Sequence, residues 1–285
     1  MIKSQYLSAN GLRHHVRVLG ESGPDIMLIH GWPETSYCWR NIMTEMAGEC
    51  RMIAPDLRGF ADTDKPEGPY DKRTVAGDIA AILDKTGIQK AVLVGHDIGA
   101  RVAIRLALDA PKRVQALIII AGRYPPLGTL KLNDPQQAME RWYFYFHQYP
   151  DLAEALVSEN VKAYIGHFLS HWSHPSFKFE DNDIKEYVRA FSQPGALRGG
   201  FEHYRAALKE DVAQWKEDEG KKIKIPTLVL WGEDDPVSPP YYSDGYDRVF
   251  SEMTYRLVPD CGHFVHEEKP HETARAVKEF LKTVF

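Results

Sequence analysis

Leu93-Val94-Gly95-His96-Asp97-Ile98-Gly99-Ala100 (LVGHDIGA) decides how the rest of this chain is read. An apolar run at 91–94 leads into it, and a segment with Gly99, Ala100 and Ala103 leads out through 108. Buried strand, tight turn, then helix is the setting of the G-x-S-x-G turn, in which small residues let helix and strand approach closely and the central side chain is presented at the bend. Here the central residue is Asp97. Alone, G-x-D-x-G is a weak signal, because aspartate also caps ordinary helices.

Outward from this turn the chain alternates. Strand-like runs at 5–7 and 15–18 flank Asn10-Gly11, a pair that accepts the positive φ of a hairpin turn. Continuous apolar runs follow at 25–29, 52–54, 91–94, 116–120, 227–231 and 255–258. Such runs mark strands buried on both faces of a parallel sheet. Apolar residues recur at helical spacing over 36–47, 74–86 (with Gly87 to end it), 97–108 and 271–281. The pattern predicts an α/β fold with a mostly parallel sheet. It breaks at 124–215, a stretch rich in aromatics and helical spacing, opened by Pro125-Pro126 and closed by KEDEGKKIKIP. We therefore expect a core from 1–123 and 216–285 and an inserted helical unit over 124–215. Glu210-Asp211 and the acids at 217–219 are expected on a solvated surface.

A chain of 285 residues is long enough for such a core with an insert. A net charge of −5 without a Lys/Arg-dense run argues against nucleic-acid binding. Cys38, Cys50 and Cys261 are odd in number and scattered, which argues against a disulfide framework and for a reducing compartment. No apolar run approaches the ~18 residues of a membrane span, and the first twenty residues carry no signal-like stretch. The expectation is a cytoplasmic protein with no membrane partner, its oligomeric state open. His167, His171 and His174 lie close in sequence without a Cys/Asp cluster, so no metal site is expected. His30 and His96 read as braces of their turns, and Asp56 and Arg58 as organisers of the loop after the fourth strand.

Two downstream segments turn the weak signal into a pattern. Trp231-Gly232-Glu233-Asp234-Asp235 and Cys261-Gly262-His263 each follow an apolar strand. Singly, Asp235 is a solvated turn acid and His263 a loop histidine. Together the order is nucleophile, acid, histidine, and groups past the carboxyl ends of such strands share one crevice.

With HGWPETSYCW (30–39), APDLRGFADTDKP (54–66), VGHDIGA, LWGEDDPV (230–237) and PDCGHF (259–264), the chain resembles the α/β-hydrolase superfamily over nearly its full length. More narrowly, it resembles the branch with aspartate nucleophiles: epoxide hydrolases and haloacid or haloalkane dehalogenases. HGWP matches the H-G-x-P pattern of epoxide hydrolases, whose proline peptide is often cis. WYFYFHQYPDLAEAL and GFEHYRA look like epoxide hydrolase cap sequences. Ala61 departs from the family's glycine in a loop. The resemblance implies an α/β-hydrolase fold with a helical cap, a small-molecule substrate, and neither cofactor nor metal. It casts Asp97 as nucleophile, His263 as base, Asp235 as its partner, and the backbone N–H groups of Trp32 and Ile98 as the oxyanion hole. Tyr204 and Tyr143 match the cap tyrosines that activate an epoxide, with Tyr145 as the fallback for the second.

An aspartate there is a changed nucleophile rather than a lost one. A carboxylate displaces a leaving group at saturated carbon and becomes an ester, and a histidine–acid pair then activates the water that releases it. An epoxide leaves as an alkoxide, which phenols protonate.

The main rival is dehalogenation. Haloacetate dehalogenases typically carry GHDRxxR, whose arginines clamp the substrate carboxylate. Arg101 matches the second, but Ile98 occupies the first. Arg141-Trp142 stands where the family's halide pocket has His-Trp, so Trp142, Arg101 and Tyr145 are candidate substrate contacts. Haloalkane dehalogenases usually have tryptophan after the nucleophile, again Ile98 here. A rival of another class is a ligand-binding homologue with no activity. The expectation is hydrolysis of an epoxide to a vicinal diol through an Asp97 ester.

Overall fold

The computed structural model describes residues 1–127 and 135–285, so 128–134 of the expected insert lie outside the described residues. The predicted hairpin forms: β1 (Lys3–Ala9) and β2 (Leu12–Leu19) pair antiparallel, with Asn10 and Gly11 at φ 48° and 75°. The apolar runs become β3 (Asp25–Ile29), β4 (Arg51–Pro55), β5 (Ala91–His96), β6 (Val114–Ile120), β7 (Thr227–Gly232) and β8 (Met253–Val258). They make one sheet in the order β1-β2-β4-β3-β5-β6-β7-β8, parallel from β4 to β8. β5 and β7 are wholly buried, as continuous apolar runs demand. β8 differs: as the last strand it leaves Thr254, Tyr255 and Leu257 exposed.

After β3 the chain moves outward to β4, then returns to the other side of β3 as β5. Strand order reverses there, and a crevice opens beyond the carboxyl ends of β3 and β5. Gly31-Trp32 follows β3 and Asp97 follows β5, so both enter that crevice. Around the sheet lie α1 (Arg40–Glu45), α2 (Lys72–Lys85) and α3 (Ile98–Asp109). Seven helices separate β6 from β7 among the described residues. They are α4 (Pro135–Glu140), α5 (Trp142–Phe146), α6 (Leu152–Ser158), α7 (Val161–Trp172), α8 (Asp181–Phe191), α9 (Ala196–Ala207) and α10 (Glu210–Lys216). The chain ends in α11 (Val265–Glu268) and α12 (Pro270–Val284). No helix among the described residues is long and apolar enough to cross a membrane.

The expectation that the acids near 210–219 are solvated is wrong for two of them. Asp211 is buried and accepts from Lys72 N at 2.7 Å and Lys72 Nζ at 3.0 Å. Asp218 is fully buried against Arg105 of α3. Each carboxylate leaves water because a cation of the core helices already waits there, and together they fasten the end of the inserted helices to α2 and α3. The loop after β4 is held as expected: Asp56 accepts from His15 and from Ser36 N, both at 2.7 Å, and Arg58 forms a two-bond fork with Asp78.

Breaking one of these pairs leaves an uncompensated buried charge. Asp211→Ala is expected to lower the unfolding free energy by about 3 kcal/mol. Asp234→Ala, with a side chain 52 % exposed, should change it by less than about 0.5 kcal/mol. Urea unfolding of both variants checks this, and a loss below about 1 kcal/mol at Asp211 would refute the anchoring role.

Candidate active site

Asp97 adopts φ 46° and ψ −111°, a conformation that costs a non-glycine residue about 1–3 kcal/mol. The glycines on either side make it affordable in space. A Cβ on Gly99 would lie 2.1 Å from Ile29 O, and one on Gly95 2.5 Å from Gly99 O. β3, β5 and the start of α3 thus meet backbone to backbone, and the bend throws the Asp97 side chain into the crevice. The helix-cap alternative for Asp97 does not hold, since its carboxylate makes no capping bond to α3. Asp97 Oδ2 instead accepts the Trp32 N–H at 3.2 Å. Ile98 N is the first amide of α3, where helix geometry supplies no intrahelical acceptor. The Trp32–Pro33 peptide is cis.

His263 and Asp235 meet with both side chains fully buried. His263 Nδ1 lies 2.8 Å from Asp235 Oδ2, while Asp235 Oδ1 accepts the N–H groups of Val237 and Ser238 at 2.8 Å each. Asp235 is thus an oriented buried acceptor, and Asp234 beside it is the exposed one. His263 Nε2 is buried without a hydrogen-bond partner among the described residues. Burial alone would depress the imidazole, but Asp235, with Asp97 and Glu34 behind it, lifts it to about 9. Those neighbours favour the imidazolium form of the resting ring.

The sequence reading missed Glu34, the residue after HGWP. It is fully buried and held far below the usual carboxylate range, because the two histidines flanking it outweigh the burial penalty. His96 Nδ1 is 2.7 Å from Glu34 Oε2, and His96 Nε2 is 3.0 Å from the His263 carbonyl. His96 therefore braces its turn, as expected, and also bridges β5 to the His263 loop. His266 Nε2 approaches Glu34 Oε1 to 3.0 Å outside hydrogen-bonding geometry, and burial pushes that imidazole down to about 4. His30 accepts Leu57 N at 3.0 Å. Glu34, Cys38 and His266 place ligand atoms within 4.8 Å of one another, as do His15, Asp56 and Asp62. Both sets hold acids already engaged with histidines, and burial raises the Cys38 thiol, which suits neither to a metal.

The inserted helices close the crevice with aromatics. Tyr143 of α5 and Tyr204 of α9 are 2 % and 4 % exposed, with rings 5.6 Å apart and near perpendicular. Burial raises both phenols; Asp97 raises them further, and Arg101 pulls the other way. Neither hydroxyl has a hydrogen-bond partner among the described residues. Tyr145, two positions along α5, is 40 % exposed and makes none of these ring contacts, so packing favours Tyr143 over it. Trp142 is also 40 % exposed and stacks on Phe168 rather than on Trp32 or His263. The tryptophan that does reach the histidine is Trp172 of α7, edge-on at 5.4 Å, and its carbonyl accepts His263 N at 2.8 Å. No local signal singled it out among the aromatics of α7. Arg101, one turn after Asp97, has a buried unpaired Nε. His167 and His171 pack ring to ring at 4.0 Å, whereas His174 bonds Ser176.

A sequence model of the alpha/beta hydrolase fold matches residues 24–270. The soluble epoxide hydrolase of Corynebacterium sp. (strain C12) is 36 % identical over 267 residues, 92 % of this chain and 91 % of that protein. A fluoroacetate dehalogenase of Burkholderia sp. is 28 % identical over 272 residues, 93 % and 89 % of the two chains. Among solved structures, the epoxide hydrolase CorEH without ligand superposes with a TM-score of 0.89 at 33 % identity, covering 100 % of both chains.

The His263–Asp235 pair gives a pH test. A folded value near 9, above the usual 6.5, means its stabilisation is full below pH 6.5 and fades as pH rises through 9. The stability advantage of the wild type over Asp235→Asn should therefore shrink between those pH values. Urea unfolding at intervals across this range measures it; a constant or growing advantage would contradict the assignment.

Proposed function

The chain belongs to the alpha/beta hydrolase fold family, among its epoxide hydrolase-like members, and from that premise we propose that it hydrolyses an epoxide to a vicinal diol through an ester of Asp97. Residues 124–215 serve as the cap and the remainder as the core. An Asp97 carboxylate oxygen attacks an oxirane carbon, the C–O bond breaks, and the released oxygen takes the proton of Tyr143 or Tyr204. The ester no longer carries the Asp97 charge, which is one of those holding the His263 proton. That proton then leaves, replacing the one the tyrosine gave up, and Nε2 becomes a base. Nε2 takes a proton from water, the hydroxide adds to the Asp97 carbonyl, and the N–H groups of Trp32 and Ile98 receive the oxyanion. Collapse expels the diol oxygen, which takes the proton back from His263, and the proton left on the Asp97 carboxyl passes to His263 to restore the resting pair.

The observation that carries this reading over its rival is the tyrosine pair: two buried phenols whose hydroxyls have no hydrogen-bond partner among the described residues and whose charge state feels Asp97. Ile98 adds to it, since its side chain neither clamps a carboxylate nor donates to a halide. Arg101 and the dehalogenase relative favour a second reading, displacement of halide from a haloacid by the same Asp97, Asp235 and His263.

Incubated with styrene oxide, the wild type should form a diol absent from an Asp97→Ala control. His263→Gln should accumulate a covalent adduct on Asp97, seen as a mass increase of the intact protein. A turned-over epoxide that leaves no adduct would sink the ester mechanism. Tyr204→Phe should slow oxirane opening by about 100-fold and halide release from chloroacetate far less. Equal losses would remove Tyr204 from the reaction, and halide without diol would favour the dehalogenase. No product from either substrate above the control would favour a ligand-binding protein.

A further inference from the structure

Most buried arginines of this protein answer a carboxylate. Arg58 faces Asp78, Arg105 faces Asp218, and Arg205 faces Glu154 and Glu202. Among the described residues three arginines beside the crevice do not: the buried Arg123 and Arg141, and the half-buried Arg101. Arg101 lies in the first turns of α3, Arg123 just past β6, and Arg141 at the start of α5. Arg123 and Arg141 are 7 % and 5 % exposed, and their guanidinium carbons stand 5.0 Å and 4.9 Å from the centre of the same ring, Tyr242. Among the described residues none of the three closes a salt bridge. Arg141 donates to the Val237 carbonyl at 2.9 Å, while the buried Nε atoms of Arg101 and Arg123 have no partner among the described residues. Burial and the like charges of Arg101 and Arg141 push the Arg123 guanidinium down to about 10.

Like charges crowded in a dry place, with donors unspent, are unfavourable unless an anion completes them. The place is next to the reacting centre. Arg101 N bonds to Asp97 O, Val237 belongs to the turn that orients Asp235, and Arg101 and Arg141 both act on the Tyr143 phenol. Among the described residues, the acids that act on the Tyr143 phenol alongside Arg141 and Arg101 are Asp97 and Asp235, both assigned to the reaction. Two of the three arginines come from elements other than the nucleophile helix. Around Trp32 the crevice is aromatic: its ring meets those of Phe168, Phe191, Phe201 and Tyr204.

We propose that Arg123 and Arg141, gathered on Tyr242, with Arg101 as the third charge beside them, bind the carboxylate of the substrate, which makes the substrate an epoxy acid rather than a neutral epoxide. A guanidinium fork matches the two oxygens of a carboxylate, and their shared place over the Tyr242 ring keeps Arg123 and Arg141 side by side. The inference rests on the epoxide reading for the oxirane half alone.

The test pairs glycidate with glycidol at one ionic strength, following diol formation, and adds thermal melts with glycerate, glycerol 3-phosphate or glycerol. The wild type should prefer glycidate, and Arg123→Met should cut the glycidate-to-glycidol ratio of kcat/KM by about tenfold or more, through KM. Glycerate should raise the wild-type Tm by about 2 °C or more and that of Arg123→Met by less. Methionine keeps most of the side-chain volume and removes a crowded charge; Arg141→Met gives the same readout should the first variant fail to fold. If neither epoxide is opened but glycerate still stabilises only the wild type, the epoxide reading falls and the carboxylate site stands. If both epoxides are opened and neither variant moves the ratio, the site falls and the epoxide reading stands. Stabilisation by glycerol 3-phosphate without glycerate would also overturn it.

Discussion

The contact on which the site depends is the one between Glu34 and His96. It joins the loop after β3 to the end of β5, and the far nitrogen of His96 reaches the backbone of the His263 loop after β8. Three loops at the carboxyl ends of three strands are thereby held to one distance. An isolated buried carboxylate is expensive, and an ion pair rarely repays the full desolvation. Its value lies in position: Trp32, Asp97 and His263 must converge on one small volume, and each sits within two residues of a member of this network. Glu34 also adds to the field that keeps the His263 proton in place.

The strands were legible because parallel strands buried on both faces can be built only from continuous apolar runs, as 91–94 and 227–231 are. Asp97, Asp235 and His263 were legible because the order of these residues along the chain survives without coordinates. What stayed hidden depends on partners far away in sequence. Asp211 and Asp218 lie in a charge-dense stretch that reads as solvated, and only Lys72 and Arg105, 139 and 113 residues distant, make them interior. Glu34 reads as one more polar residue after a proline until two histidines from other loops converge on it. Tyr143 and Tyr145 differ by two positions on a five-residue helix, and packing against Phe168, Trp172 and Tyr204 separates them.

Attachment of the inserted helices follows the same logic as the site. Lys72 and Arg105 on core helices hold carboxylates of α10 and of the turn just after it, and Asp62, in the loop after β4, takes Arg189 and Gln193 from α8 and just beyond it. Gly199 of α9 comes so near Gly59 that a Cβ there would lie 2.4 Å from the Gly59 carbonyl. The aromatic wall carried by α5, α7 and α9 is therefore seated on the core by contacts that tolerate little displacement. The proposed role of the two phenols requires such a seat, since a shift of about 1 Å at a reacting group costs on the order of 100-fold in rate.

The proposed chemistry uses these charges in concert. Burial raises both phenols, and Asp97 raises them again, so in the resting site they stay protonated as donors. His263 is likewise held protonated by Asp235 and Asp97. As Asp97 attacks, its negative charge passes to the oxirane oxygen. The field that kept the phenols from ionising weakens as that oxygen needs a proton, while Arg101 favours the phenolate throughout. The same loss of charge loosens the His263 proton, which the next step requires gone. One displacement of charge thus makes the donor stronger and frees the base. The sequence of events is dictated by the position of a single carboxylate, held at a strained turn between two glycines.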